Sequence, residues 1–192
     1  MKSISSLSNI HKMGVYGDYY EKEESNLIKI KEIKNISLYQ IVKYKNSKQD
    51  ISDFKIHGVN FPVSLKTSSN QSTRILWMGP DNWYVFSKLD IFEDLKAFDD
   101  KDFAITNISQ SRTVIELEGD SINEVLKKGT PLNVDKLKSG DCANTVYNGI
   151  TITLDFISNN PNKLRIFGLR SFGESLYHSI TDASLEYGYK SI

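Results

Sequence analysis

The dipeptide Asn148-Gly149 separates two runs, residues 142–147 and 150–157, that read as strands. Asn-Gly is the strongest short hairpin signal, because a two-residue type I′ turn needs positive φ at both central positions. In the second run Ile150, Ile152, Leu154 and Phe156 alternate with Thr151, Thr153 and Asp155. That period of two describes a sheet with one buried face. Asn159-Asn160-Pro161-Asn162 then turns the chain into a further strand over 163–169.

The remaining elements follow from pattern and punctuation. Ser171 and Glu174 form a capping box ahead of Phe172, Leu176, Ile180, Ala183 and Tyr187, which sit at helical spacing and end at Gly188. A second box, Ser121 with Glu124, opens a helix that turns Ile122, Val125 and Leu126 inward, and Gly129 supplies its left-handed exit. Strands are predicted over 36–44, 103–108 and 113–117. Residues 74–78 and 83–87 form a hairpin closed by Gly79-Pro80-Asp81-Asn82, where Pro80 presets φ and Asp81 and Asn82 tolerate the tight positions. Asp90 with Glu93 starts a short helix carrying Ile91, Leu95 and Phe98. Asp50 opens a helical segment ending near His57, and residues 67–73 read as a polar loop. Helices alternating with antiparallel hairpins give an α+β fold, antiparallel sheets with packed helices. Residues 1–30 have no clean period and read as an N-terminal arm. Ile10, Met13, Val15, Tyr16, Tyr19 and Tyr20 leave two readings open there, a mobile tail or a segment ordered against a partner. The domain itself covers 31–192, with two small lobes near 31–100 and 101–192.

Composition narrows the function classes. At 192 residues the chain buries roughly 70% of its unfolded surface, enough to fold without staples. Lys plus Arg and Asp plus Glu are 24 each, so there is no basic excess for nucleic acid. A neutral surface is poorly protected against association, as befits a subunit of an assembly. One cysteine, Cys142, leaves no intrachain disulfide. The N-terminus lacks the apolar core of a secretory signal and no stretch has the ~20 apolar residues of a membrane span, so a cytoplasmic chain is expected. The three Asn-x-Ser matches, at Asn35, Asn70 and Asn107, are read as coincidence in an Asn- and Ser-rich sequence.

The search for chemistry returns little. Neither the dinucleotide fingerprint nor the Walker pattern occurs, and no Cys-x-x-Cys or His-x-x-x-His suggests zinc. His11, His57 and His178 read as ordinary structural histidines, with His178 pointing outward, and Cys142 as a small buried hydrophobe. Glu116 and Glu118 share one strand face. Paired carboxylates can do acid–base work, but on an alternating strand they read as its wet side. Arg112 and Arg170 suit a partner's carboxylate or phosphate, and equally a local salt bridge. Trp77, Trp83, Tyr84 and Phe86 flank one hairpin, either as interface anchors or as core.

Five blocks now fall into order: Leu76-Trp77-Met78-Gly79-Pro80-Asp81-Asn82-Trp83; Ile108-Ser109-Gln110-Ser111-Arg112; Val125 through Leu132; Gly140 through Thr145; and Leu169-Arg170-Ser171-Phe172-Gly173-Glu174-Ser175-Leu176. Together they resemble the gamma subunit of heterotetrameric sarcosine oxidase, with its Gly-Pro-Asp-x-Trp hairpin, Ser-x-Ser-Arg junction and Arg-Ser-Phe-x-Glu helix start. The resemblance spans roughly residues 75–188. Thr130 stands where the family often has Cys, Asn133 where Asp is common, and the Lys-, Asn- and Ile-rich arm does not resemble the family's usual N-terminus. The resemblance implies a fold similar to the folate-binding domain of aminomethyltransferases. It implies a subunit with no cofactor and no catalytic centre of its own, in a complex that oxidatively demethylates sarcosine to glycine, hydrogen peroxide and methylenetetrahydrofolate. It places FAD, FMN and NAD in the alpha and beta subunits, the tetrahydrofolate site in the alpha subunit and zinc in the delta subunit. Trp77, Gly79, Pro80, Asp81, Trp83, Ser111, Arg112, Arg170, Ser171 and Phe172 become candidate interface or motif residues. Two other readings are open: a stand-alone folate-binding or aminomethyltransferase-like protein, and a regulatory small-molecule module on the same fold. Charge introduced at Trp77 or Trp83 is expected to impair folding or assembly. Unchanged oxidase assembly in such variants would remove the hairpin from both core and interface.

Overall fold

The structure, a computed structural model, describes residues 5–192. Strands β1 (Gly14–Tyr16), β2 (Ile28–Glu32), β3 (Ser37–Lys43), β4 (Lys55–Ile56), β5 (Val59–Asn60) and β6 (Thr67–Ser69) come first. The hairpin β7 (Thr73–Gly79) and β8 (Asn82–Ser87), helix α1 (Phe92–Leu95), β9 (Phe103–Asn107) and β10 (Arg112–Glu118) follow. Helix α2 (Ile122–Lys127), β11 (Cys142–Tyr147), β12 (Ile150–Asn159), β13 (Asn162–Leu169), α3 (Gly173–Ser184) and β14 (Tyr189–Ser191) complete the chain. Two compact units result. The first holds the described residues up to Lys34 with Ser111–Ser139 and Ala143–Ile192; the second holds Asn35–Gln110 and Gly140–Cys142. The boundaries fall at 34/35 and 110/111 rather than at the 100/101 junction expected.

The first unit is a seven-stranded sheet in the order β1-β14-β2-β10-β13-β12-β11. Its pairs are antiparallel except β14 with β2, which is parallel. Residue-by-residue register explains why. Ile30, Leu117, Leu164 and Phe156 stand opposite one another across β2, β10, β13 and β12, so one row of apolar side chains crosses four strands. All four are buried, in a core completed by Ile122, Val125 and Leu126 of α2 and by Leu176 and Ile180 of α3. The opposite face carries a second row, Lys31–Glu116–Arg165–Asp155, in which the sign alternates at every strand. Lys29–Glu118–Lys163 forms a third. Opposite charges directly across strands stabilise a sheet, and like charges there would open it.

The expected arm is, over its described part, woven into this sheet. β1 makes one edge, β2 lies between β14 and β10, and Leu7 is fully buried. The physical reason is the short alternation Ile28-Lys29-Ile30-Lys31, which buries both isoleucines on the core side.

The second unit is a five-stranded antiparallel sheet in the order β6-β7-β8-β3-β9, with the small β4–β5 ribbon and α1 packed beside it. The polar loop expected over 67–73 contains β6, which pairs with β7 despite its Thr-Ser-Ser sequence. The helical segment expected from Asp50 is a single 3-10 turn, Ile51–Asp53, in which Asp50 accepts from the Ser52 N–H at 2.9 Å. His57 therefore lies in the β4–β5 turn, at φ 48°, and not at a helix end.

Local chemistry departs from expectation at three more places. Ser121 makes no side-chain cap, and Ser171 lies inside a 3-10 turn, Arg170–Phe172, so that α3 starts at Gly173. Asp90 does act at a helix start, accepting from the Phe92 N–H at 3.0 Å. Gly129 does not adopt a left-handed conformation; it leaves room instead, because a Cβ there would lie 2.6 Å from the Tyr147 ring. The Asn148-Gly149 turn has the two positive φ values that type I′ requires, 46° and 79°.

Gly129→Ala is expected to destabilise the protein by about 1–3 kcal/mol in urea unfolding, since Tyr147 is fully buried and its hydroxyl is tied to the Val125 carbonyl at 3.0 Å. An unchanged midpoint would show that the ring yields freely. Glu118 gives a pH test. Lys163, at 2.5 Å, and Lys29, at 2.9 Å, hold its carboxyl below the ordinary value of 4.5. A depressed folded pKa stabilises above the unfolded value and is lost as pH falls through the folded one. Glu118→Gln is therefore expected to cost about 0.5–1 kcal/mol at neutral pH. The gap to the wild type should narrow below pH 4.5; a gap independent of pH would refute the ion pairs as its source.

Candidate functional site

The motif residues separate into two groups, one in each unit. In the second unit the hairpin β7–β8 sets Trp77 opposite Trp83 and ends in the tight turn Gly79-Pro80-Asp81-Asn82. Asp81 takes a positive φ of 56° behind Pro80, the pairing that a type II turn asks of its central residues. The turn is held by the Lys43 N–H donating to the Asp81 carbonyl at 2.9 Å, by Lys43 Nζ 3.4 Å from the Asp81 carboxylate, and by Gln40 Nε2 donating to Asn82 Oδ1 at 3.0 Å. A bulge between Trp77 and Gly79 adjusts the register at this end. Trp83 is only 4% exposed and meets Phe61 edge-on at 5.4 Å, within a core that includes Phe98 and Phe103. Trp77 is half-buried against the same core. Charge at Trp83 would thus act first on folding of the unit.

In the first unit, Ser111, Arg112, Arg170, Ser171 and Phe172 meet at the place where β10 begins and β13 ends. Arg112 is the register partner of Leu169, and the Ser111 carbonyl accepts from the Arg170 N–H at 3.0 Å. Arg112 Nη1 reaches back to the Ser111 carbonyl and Oγ, each at 3.2 Å. Phe172 is 48% exposed beside a half-exposed Leu169. Gly173 lets α3 start close to the sheet, since a Cβ there would fall 2.5 Å from Thr113 Oγ1. The result is a corner carrying two arginines and two apolar side chains, a chemistry suited to contact with another protein.

Reactive-looking side chains are occupied by the fold. In the second unit His57 Nδ1 lies 2.8 Å from Thr73 Oγ1, which is 3.0 Å from Ser87 Oγ, while Asp94 accepts from the His57 backbone N–H at 2.8 Å. With Asp94 Oδ2 also 3.5 Å from His57 Nε2, the order acid–imidazole–hydroxyl resembles a nucleophile relay. Thr73 and Ser87 are buried, so neither hydroxyl is open to a substrate, and the network is a brace between the β4–β5 turn and the sheet. The Cys142 thiol is buried 3.2 Å from the carbonyls of both Lys66 and Trp77. Glu116 and Glu118 are not merely a wet strand face: Arg165 Nε lies 2.9 Å from Glu116, and Lys163 2.5 Å from Glu118. Among the described residues no three His, Cys, Asp or Glu side chains gather in a metal-binding group.

Sequence reasoning missed a cleft of about 470 Å³ in the first unit, lined by Ile10, Lys12, Tyr16, Glu174, Ser175, Tyr177, His178, Thr181 and Tyr189. It forms because the N-terminal segment packs along α3: the His11 ring lies 5.3 Å from Tyr177, and Tyr16 stacks on Tyr189 at 5.2 Å. His178 is exposed, as expected, and borders this cleft. Burial pushes Tyr189 up to about 12 and raises Tyr177, and it lowers His11. Tyr16, Tyr177 and Tyr189 offer stacking and hydrogen bonds, and Lys12 and Glu174 bring one charge of each sign to the walls. The aromatic content of the arm was the only sign of it.

No curated protein matches the chain. A chain of the heterotetrameric sarcosine oxidase from Corynebacterium sp. U-96, in complex with pyrrole 2-carboxylate, shares its fold with a TM-score of 0.76 at 20% identity, over 86% of this chain and 87% of that one. The glycine cleavage system aminomethyltransferase T from Bartonella henselae is more distant, with a TM-score of 0.56 at 9% identity, over 82% of this chain but 46% of that one. Both likenesses concern the fold, and the second is the aminomethyltransferase relation expected from the motifs. Residues 50–186 match the sarcosine oxidase, gamma subunit family, from the Asp50 turn almost to the end of the last helical turns, and the chain belongs to that family.

Proposed function

We propose that this protein serves as the gamma subunit of a heterotetrameric sarcosine oxidase and contributes shape and buried contact area, not a catalytic centre. The observation that carries the reading is the family match over residues 50–186. The fold shared with a chain of the Corynebacterium enzyme, nearly end to end in both, supports it. On this reading the alpha, beta and delta subunits are the partners. The complex demethylates sarcosine oxidatively to glycine, hydrogen peroxide and methylenetetrahydrofolate. FAD, FMN and NAD belong to the alpha and beta chains, tetrahydrofolate to the alpha chain and zinc to the delta chain, and the assembly works in the cytoplasm. No helix of the described residues is long and apolar enough to cross a membrane.

The chain's own residues support a structural part. His57 braces the β4–β5 turn against the buried hydroxyls of Thr73 and Ser87, Glu116 and Glu118 are neutralised by Arg165, Lys163 and Lys29, and the one thiol is enclosed. Both the hairpin and the Arg112–Arg170 corner instead combine aromatic or apolar side chains with arginine or a tight turn, the composition of protein contacts. The alternative, a stand-alone folate-binding protein, rests on fold alone, and the chain spans less than half of that aminomethyltransferase.

Affinity capture of the full chain from its native source is expected to recover flavin-bearing partners, detected by their visible absorbance. The purified chain by itself should form no hydrogen peroxide from sarcosine and should not titrate tetrahydrofolate calorimetrically. Recovery as a stable monomer without partners would overturn the subunit reading. Stoichiometric folate binding by the isolated chain would favour the aminomethyltransferase-like alternative.

A further inference from the structure

The cleft beside α3 has a floor and a rim of opposite character. Tyr177, Thr181 and Tyr189 are 5%, 8% and 7% exposed and make the floor, with the half-buried Ile10 and Tyr16 beside them. Lys12, Glu174, Ser175 and His178 are exposed and make the rim. The volume, about 470 Å³, is that of a small-molecule site. Ile10, Lys12, Tyr16 and Tyr189 lie outside residues 50–186, so the family match does not account for the cleft.

The floor has little to offer a polar group. The Tyr16 hydroxyl donates to the Lys12 carbonyl at 3.2 Å, and the Tyr177 hydroxyl lies 3.0 Å from Ser191 Oγ. The Thr181 hydroxyl donates to the Tyr177 and His178 carbonyls, each at 3.0 Å. A polar group pressed onto these side chains gives up its water without a partner. An apolar ring loses nothing and gains offset or edge contacts with the tyrosines. The rim makes the opposite demand. Among the described residues neither Lys12 nor Glu174 is paired with an opposite charge, and Glu174 accepts a long bond from Asn9 Nδ2 at 3.5 Å. A purely anionic ligand meets Glu174 as a like charge, and a purely cationic one meets Lys12. A zwitterion complements both.

We propose that this cleft binds a free α-amino acid with an unsubstituted aromatic ring, its ring on the tyrosine floor, its ammonium at Glu174 and its carboxylate at Lys12. Phenylalanine is the simplest such ligand. The site does not rest on the subunit reading above.

Calorimetric titration of the full chain with L-phenylalanine should show saturable binding of a single equivalent. Hydrocinnamate, which lacks the ammonium, and phenethylamine, which lacks the carboxylate, should each bind about tenfold or more weakly. L-tyrosine should lose a similar factor, because its hydroxyl finds no partner on the floor. Glu174→Gln and Lys12→Met, both at exposed positions, should weaken phenylalanine by about tenfold and leave the unfolding temperature unchanged. Each variant should also stop discriminating against one analogue: Glu174→Gln against hydrocinnamate, Lys12→Met against phenethylamine. A general loss of structure does not produce that crossed pattern. Glu186→Gln, at another exposed carboxylate just after α3, should bind phenylalanine as the wild type does. Absence of saturable heat at millimolar phenylalanine overturns the site and leaves the subunit reading in place. Equal binding of phenylalanine and both analogues overturns it too, as does an equal loss in Glu186→Gln. Tyrosine bound as tightly as phenylalanine overturns the assignment of the ring.

Discussion

The antiparallel register of β10 against β13 organises the first unit. Seven residue pairs run from Arg112↔Leu169 to Glu118↔Lys163, and each pair commits two side chains to the same face. Ile115 meets Ile166 and Leu117 meets Leu164 on the core side, and Glu116 meets Arg165 on the other. A slip of one residue would exchange these faces, pushing Glu116 and Arg165 into the packed helices and isoleucine out of them. Hydrophobic burial and charge pairing thus select a single register. The neighbouring strands inherit it: β2 brings Ile30 to Leu117 and Lys31 to Glu116, and β12 brings Leu154 to Ile166 and Asp155 to Arg165.

The second unit solves the same problem with less alternation and more aromatic surface. Phe54, Phe98 and Phe103 are in mutual contact, with ring centroids 4.6–5.1 Å apart, and Phe61 joins Trp83 to Phe98. Such edge-to-face and offset contacts add to burial. They let short strands and a one-turn α1 share a core. The polar brace of His57, Thr73, Ser87 and Asp94 closes its edge with satisfied hydrogen bonds, so the imidazole is used for positioning the β4–β5 turn.

Function follows from where the polar and apolar groups are left. Glu116, Glu118, the His57 imidazole and the Cys142 thiol are engaged in holding the chain together, while Glu174 and His178 border the cleft beside α3. Among the features that face outward are a tight Pro-Asp turn and a corner of arginine with Phe172 and Leu169. These are features that another protein surface can read by shape. A family of gamma subunits, defined over residues 50–186, is a natural home for a chain built in this way.

Much of this was legible in the residues. The Asn148-Gly149 and Pro80-Asp81 turns carry their own backbone requirements, so both hairpins lie where the sequence predicts them. Helix α3 was visible through Leu176, Ile180 and Ala183, although it ends at Ser184, and the chain leaves the following 3-10 turn, Leu185–Tyr187, through Gly188, at φ 71°. The motif blocks pointed to the family that residues 50–186 match. What stayed hidden depends on contacts between residues far apart in the chain. β1 and β14 are three residues each, too short for any period, and exist because β14 pairs with β1 on one side and β2 on the other. The capping serines looked complete as a four-residue pattern, but Ser121 makes no side-chain cap and Ser171 lies in a 3-10 turn, so that α3 starts at Gly173. The cleft beside α3 needs Tyr16 and Tyr189 stacked, and the left-handed backbone at Leu65 needs a loop held by Lys66, Gly140 and Cys142. Turn chemistry and periodicity are local and can be read along one strand of sequence, whereas register, clefts and strained loops are set by packing between distant segments and appear only in three dimensions.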